Sequence, residues 1–255
     1  MVEYGILLVI FGPFRSGTSL TAGMCQRLGA SFGPVSDMSP APDRYNPVGY
    51  FQRRDIVKAN QTILDGSDEG LFAQGPLSPD TVGQPDIQTE ALDVSWMEAH
   101  DTVAVKDPRF SFTLPYWIER NPWPGREVRL LRVRRNLDAV ARSAAKHHFV
   151  SHYCDGSFDR ARVLSQAMDH AAEEVCRTAP FKSHIMDYDA LIDNPVRECQ
   201  ALAEFMGKDR KQGRKAAALV GKNNALLRHY AGKMLRPRDI LDTLGKTVGA
   251  RLGAR

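Results

Sequence analysis

Residues 6–20, Ile-Leu-Leu-Val-Ile-Phe-Gly-Pro-Phe-Arg-Ser-Gly-Thr-Ser-Leu, constrain the fold of this chain more than any other stretch. The apolar run Ile6–Phe11 meets a loop whose glycines, Gly12 and Gly17, stand five apart, and a helix-compatible segment follows. Strand, glycine-bounded loop and helix are the layout of a phosphate-binding P-loop. Glycine lets the backbone take φ > 0 and lets an oxyanion approach it closely. The amides of Gly17, Thr18 and Ser19 are expected to point at the anion, with Ser16 beside them and the helix dipole favouring negative charge. Two positions depart from the ATPase form. Thr18 stands where a lysine is expected, and the only cation in the loop is Arg15.

Further short apolar runs read as buried parallel strands: Gly5–Phe11 itself, Thr102–Val105, Glu127–Val133 and Lys182–Met186. Arg129 and Arg132 interrupt the third. Helical stripes lie between them. Leu20, Met24 and Leu28 share one face, with Gly29 as the stop; Leu164, Met168, Ala171 and Val175 form a second stripe; Leu191, Leu202 and Phe205 mark a third, entered at Pro195. Alternating strands and helices predict an α/β chain, a three-layer α/β/α P-loop fold on a central, mostly parallel sheet, with 1–255 as a single domain. Two stretches rich in Gly, Pro, Ser and Asp, 31–49 and 66–86, are expected to be functional loops on the acceptor side. The basic stretch 208–255 reads as a weakly helical tail.

A second anion site is expected at Arg134-Arg135-Asn136-Leu137-Asp138-Ala139-Val140-Ala141-Arg142-Ser143. Asn136 suits an N-cap and Asp138 a first turn. Arg135, Ala139 and Ser143 then fall on one helical face, two donors separated by a small residue. The alternative is a solvated basic face. The excess of 34 Lys+Arg over 30 Asp+Glu, a formal charge of +4, fits a small anionic ligand and is too weak to argue nucleic acid. The four cysteines show no metal-binding spacing and read as thiols of a reducing, cytoplasmic compartment. No apolar stretch approaches the length of a membrane span.

Together these elements resemble the sulfotransferases that use 3′-phosphoadenosine 5′-phosphosulfate (PAPS). Pro13-Phe14-Arg15-Ser16-Gly17-Thr18-Ser19 is similar to their 5′-phosphosulfate loop, with one extra residue after the proline. Arg135 and Ser143 are similar to their 3′-phosphate pair, Lys106-Asp107-Pro108-Arg109 to their strand-ending Lys-Asp-Pro signature, and Tyr188-Asp189-Ala190-Leu191 with Pro195 to a segment after the last strand. The four motifs span residues 6 to about 207 in the family's order. The resemblance implies sulfuryl transfer from PAPS to a hydroxyl or amine of a small-molecule, carbohydrate or lipid-linked acceptor. Adenosine 3′,5′-bisphosphate (PAP) is released, and no metal takes part. Arg15 and the loop amides would face the 5′ end, Lys106 would be the second cation near the transferring group, Arg135 and Ser143 would hold the 3′-phosphate, and Tyr188 would pack near the adenine.

The acceptor's proton needs a base. Relatives of the phenol type carry a histidine where this chain has Pro108, and many bacterial relatives have Glu where it has Gln52, an amide that cannot serve. Other relatives use a carboxylate roughly twenty residues past the P-loop cation, and the resemblance therefore implies Asp37 in that role, with Asp55 and Asp107 as alternatives; His147 and His148 read as a helix-surface pair. Two other functions fit parts of the pattern: an ATP- and Mg²⁺-dependent phosphotransferase, with Asp107 at the metal, and a non-catalytic nucleotide-binding protein.

Overall fold

The structure, a computed structural model, describes residues 5–39, 41–43, 45–77, 94–120, 123 and 125–221. Part of the second predicted loop, 78–86, and the tail from 222 onward lie outside the described residues. Four strands, β1 (Ile6–Phe11), β2 (Thr102–Lys106), β3 (Glu127–Arg134) and β4 (Lys182–Asp187), form one sheet in the order β2-β1-β3-β4, and every pairing is parallel. Each predicted strand is present, displaced by at most a residue at its ends.

The apolar run of β1 is continuous because both faces are covered. Leu7, Val9 and Phe11 point into one core layer, and Leu8 and Ile10 into the other. This follows from the two-residue period of a strand. The first layer is closed by α3 (Phe110–Arg120) and α6 (Phe158–Thr178), whose Leu164, Met168, Ala171 and Val175 form the predicted stripe. The second is closed by α1 (Thr18–Arg27) and α8 (Pro195–Phe205). The result is the predicted three-layer α/β/α arrangement. The arginines that interrupt β3 serve opposite layers. Arg132 is buried and donates to Asp169 Oδ1 of α6 at 3.0 Å, while Arg129 reaches the Phe205 carbonyl at the end of α8 and Glu127.

The sequence gives less warning of α2 (Arg54–Asp65), which follows the first long loop. Its buried Asn60 Oδ1 accepts from Thr113 Oγ1 and Trp117 Nε1, each at 2.7 Å, and so fixes the helix to α3. The stretch around Leu191 to Phe205 is two helices rather than one. Pro195 cannot donate an amide to a preceding turn, so α7 (Tyr188–Asp193) ends before it and α8 begins on it. Two short helices, α4 (Leu137–Ala145) and α5 (Ser151–Cys154), complete the connection between β3 and α6. All four cysteines are free thiols, and no helix among the described residues is long and apolar enough to cross a membrane.

Candidate functional site

The loop after β1 lies where the carboxyl ends of the parallel strands meet a cavity of about 820 Å³. Gly12 has φ 136°, and a Cβ there would lie 2.1 Å from the Val133 carbonyl oxygen, so only glycine lets β1 leave the sheet so close to β3. Gly17 caps α1 with φ 108°; a Cβ there would lie 2.3 Å from the Tyr188 ring. The first turn of α1 carries no acidic residue and no side-chain cap, which leaves its amide end open to an anion. Gly17, Thr18 and Ser19 all line the cavity. Ser16 Oγ is buried with no hydrogen-bond partner among the described residues.

Arg15 holds φ 69°, a left-handed conformation that a non-glycine residue adopts at a cost. That turn sends its side chain into the site. Nε donates to Ser143 Oγ at 3.1 Å and Nη2 to the Tyr45 carbonyl at 3.0 Å. Arg135 Nη1 donates to the Arg15 carbonyl at 3.3 Å, and its guanidinium lies 4.4 Å from the Tyr188 ring centre. Arg135 Nε is buried and without a partner among the described residues. The two anion elements read from distant parts of the sequence therefore touch. They do so by a different route from the one expected: Arg135 precedes α4 and shares no helical face with Ser143, and Arg15 joins the two. Asn136 caps α4 as expected, accepting from the Ala139 amide at 3.0 Å.

Lys106, the last residue of β2, is 3 % exposed and ends at the cavity floor. Its ammonium donates to Ser19 Oγ at 3.2 Å and to Gln52 Oε1 at 3.3 Å. Burial pushes it down to about 7; Asp107 opposes that shift, and Arg15 and Arg109 add to it. Asp107 is itself closed off. It accepts from Arg109 Nη1 at 3.1 Å and from the Arg109 amide at 2.9 Å.

The structure does not bring Asp37 to the cavity. Its carboxylate pairs with Arg53 at 3.3 Å, and Arg53 also grips Asp55 at 2.8 Å, so both predicted candidates are engaged outside the lining. The histidine pair also differs from expectation. His148 is half-exposed, but His147 is only 2 % exposed and lines the cavity. Burial, with Arg15 and then His148 adding, lowers His147 to about 3, so the ring is neutral. Sequence reasoning did not link Asp43 to Tyr45 and Tyr50. Tyr50 Oη donates to Asp43 Oδ2 at 2.8 Å and meets His147 Nε2 at 3.2 Å. The only signal in the sequence was the clustering of Asp, Tyr and Asn in the first long loop, next to Tyr50.

No protein-family model matches the chain, and no curated protein matches it in sequence. Among solved structures it is similar to the sulfotransferase domain of the olefin synthase of Synechococcus PCC 7002, at 14 % identity and TM-score 0.48 over 80 % of this chain and 73 % of that one. It is also similar to a sulfotransferase of Alicyclobacillus acidocaldarius, at 14 % identity and TM-score 0.42 over 89 % of this chain and 96 % of that one.

Proposed function

We propose that the protein is a sulfotransferase that moves a sulfuryl group from PAPS to a hydroxyl acceptor. The observation that carries this is the contact of the P-loop cation with the second anion element, Arg15 Nε on Ser143 Oγ with Arg135 on the Arg15 carbonyl. A nucleotide with phosphates at both its 5′ and 3′ positions suits two adjacent anion sites, whereas ATP presents a single chain of phosphates. The donor set fits such a molecule. Arg135 lines the cavity and its Nε is a buried donor without a partner among the described residues, and an unsatisfied buried polar group is costly unless a ligand completes it.

Arg135 and Ser143 would hold the 3′-phosphate, with the Tyr188 ring, 4.4 Å from the Arg135 guanidinium, limiting where that group can move. The amides of Gly17, Thr18 and Ser19 would hold the 5′-phosphate. Sulfuryl transfer leaves negative charge on the oxygen that bridges sulfur and the 5′-phosphate. Lys106, which is buried, and Arg15, which is half-buried, both line the cavity and would stabilise it, as preorganised charge does in a dry site. Phosphoryl transfer from ATP would ask Asp107 to face a metal, yet its carboxylate is turned into the pair with Arg109.

Calorimetric titration with PAP and with adenosine 5′-phosphate tests the assignment. Arg135→Ala should cost PAP at least tenfold in affinity and adenosine 5′-phosphate less than threefold, by the usual weight of a charge-assisted contact. Equal losses would remove the 3′-phosphate role.

A further inference from the structure

We propose that Tyr50 and Asp43 form the proton relay for the acceptor hydroxyl, with Tyr50 touching the acceptor and Asp43 taking the proton. The inference rests on the sulfuryl-transfer function proposed above and supplies the base that it lacks. Among the described residues, the carboxylates expected as the base are engaged elsewhere. Asp37 and Asp55 sit on Arg53, and Asp107 on Arg109. Asp65 lines the cavity and accepts from Gln61 Nε2 at 2.7 Å, but it stands at the far end of α2, roughly 16 Å of helix rise from Arg54.

The hydrogen bonds around Tyr50 have one consistent direction. The Phe149 amide donates to His147 Nδ1 at 3.3 Å, so in the neutral ring the proton is on Nε2. Nε2–H then donates to Tyr50 Oη, and Oη–H donates to Asp43 Oδ2. A phenol oxygen has two lone pairs, and His147 takes one. The other is left for a hydrogen bond from the acceptor, and Tyr50 lines the cavity. Asp43 is fixed by the Tyr45 and Asn46 amides, both 2.8 Å from Oδ1, which leaves Oδ2 for Tyr50; His148 Nε2 lies 3.6 Å from that same oxygen. Among the described residues, the charged and titratable groups around the phenol are thus Arg15, Asp43, Tyr45, His147 and His148. Arg15 and Tyr50 line the same cavity, and Arg15 donates to the carbonyl of Tyr45, whose amide is bound to Asp43, which puts the relay near the cation of the P-loop.

The backbone adds a second observation. Phe51 has φ 55°, strained for a residue with a bulky side chain. Its ring packs into the core against Phe32, centroids 5.1 Å apart, while its neighbours Tyr50 and Gln52 both face the cavity. Gln52 holds Lys106 at 3.3 Å, so one kinked segment carries the relay and the ligand of the buried lysine.

In the step itself, the acceptor oxygen forms a bond to sulfur as the bond from sulfur to the 5′-phosphate oxygen breaks, and that oxygen leaves with the electron pair. The acceptor's hydroxyl proton passes to Tyr50 Oη while the phenol's own proton passes to Asp43 Oδ2. Burial, and after it the Asp43 bond, raises the Tyr50 phenol above its ordinary value. Tyr50 therefore passes the proton on without resting as a phenolate.

The test compares two probe acceptors with [³⁵S]PAPS at about pH 8. Benzyl alcohol must lose its proton during transfer, whereas 4-nitrophenol is already ionised. In Tyr50→Phe and Asp43→Asn the ratio of benzyl alcohol to 4-nitrophenol turnover should fall by about a hundredfold or more, the usual weight of a general base. Asparagine at position 43 keeps an oxygen for the Tyr45 and Asn46 amides, and phenylalanine keeps the ring. An unchanged ratio, with both activities falling together, would mean a packing role and overturn the relay. Independently of any acceptor, ¹⁵N NMR of the ligand-free protein, assigned against His147→Gln, should show His147 neutral with the proton on Nε2 at about pH 6, where an ordinary histidine is mostly charged. A proton on Nδ1 would reverse the chain and overturn the proposal. PAP binding is measured on every protein. If wild type fails to bind PAP, the donor assignment fails and the relay with it; intact binding with an unchanged ratio counts against the relay alone.

Discussion

Lys106 offers the sharpest quantitative check on the donor site, because its charge is poised by burial. Held at about 7 in the free protein, it is mostly protonated at pH 6 and mostly neutral at pH 8. A bound polyanion next to it favours the ammonium and raises its pKa by several units. PAP binding should then draw in a proton: about 0.1 per molecule at pH 6, about half at pH 7 and about 0.9 at pH 8. The affinity lost by starting from the neutral amine grows to about elevenfold at pH 8, roughly 1.4 kcal/mol, against about 1.1-fold at pH 6. PAP's own phosphates titrate in the same window, so the quantity to follow is the difference between wild type and Lys106→Met. The assay is calorimetry in buffers of different ionisation enthalpy, which separates proton uptake from the heat of binding. If both proteins take up the same number of protons at pH 8, Lys106 does not meet the anion, and its place at the donor site is wrong.

Gly17→Ala should weaken PAP binding at least tenfold and lower the melting temperature. The added methyl would meet the Tyr188 ring at 2.3 Å at φ 108°, and calorimetry together with thermal denaturation would register both losses. Asp37→Asn should leave turnover within twofold of wild type and cost less than about 1 kcal/mol in denaturant unfolding. Its carboxylate is a part-exposed partner of Arg53, which keeps Asp55. A turnover loss beyond tenfold would return Asp37 to the chemistry.

What the sequence makes legible here is what is local. The step from β1 into the loop and α1 shows because glycine spacing and apolar runs are short-range signals, and the stripe on α6 shows because four residues on one face suffice. The two arginines in β3 look like flaws in a strand until their partners are known, and those partners, Asp169 and the end of α8, lie on opposite layers some 37 and 76 residues away. The link between Arg15 and Ser143 crosses 128 residues and was legible only through resemblance to a family. The histidines show the limit most plainly. A His pair just after a short amphipathic helix reads as surface, and nothing near it in sequence says that Tyr50, 97 residues earlier, closes over one of the two rings. The structure keeps Asp37 out of the cavity for the same reason: Asp37 and Asp43 lie six apart in one loop, and the partners that separate their surroundings, Arg53 and Tyr50, are set by how that loop folds back.

The same fold-back explains why a buried lysine is tolerated at the cavity floor. An ionised amine this deep is destabilising unless paired, and the nearest side-chain acceptors, Ser19 and Gln52, are neutral. A carboxylate at position 52 would pair with Lys106 and hold its charge in the empty site, at the expense of competing with an incoming anion. The amide instead leaves the ammonium under-compensated until a polyanion arrives, so part of the ligand's binding energy restores the charge needed when the bridging bond breaks. By this logic Gln52→Glu should raise the Lys106 pKa, abolish most of the proton uptake at pH 8 and weaken PAP binding. Tighter binding with undiminished uptake would show that the lysine's charge is set by something other than its neutral partners.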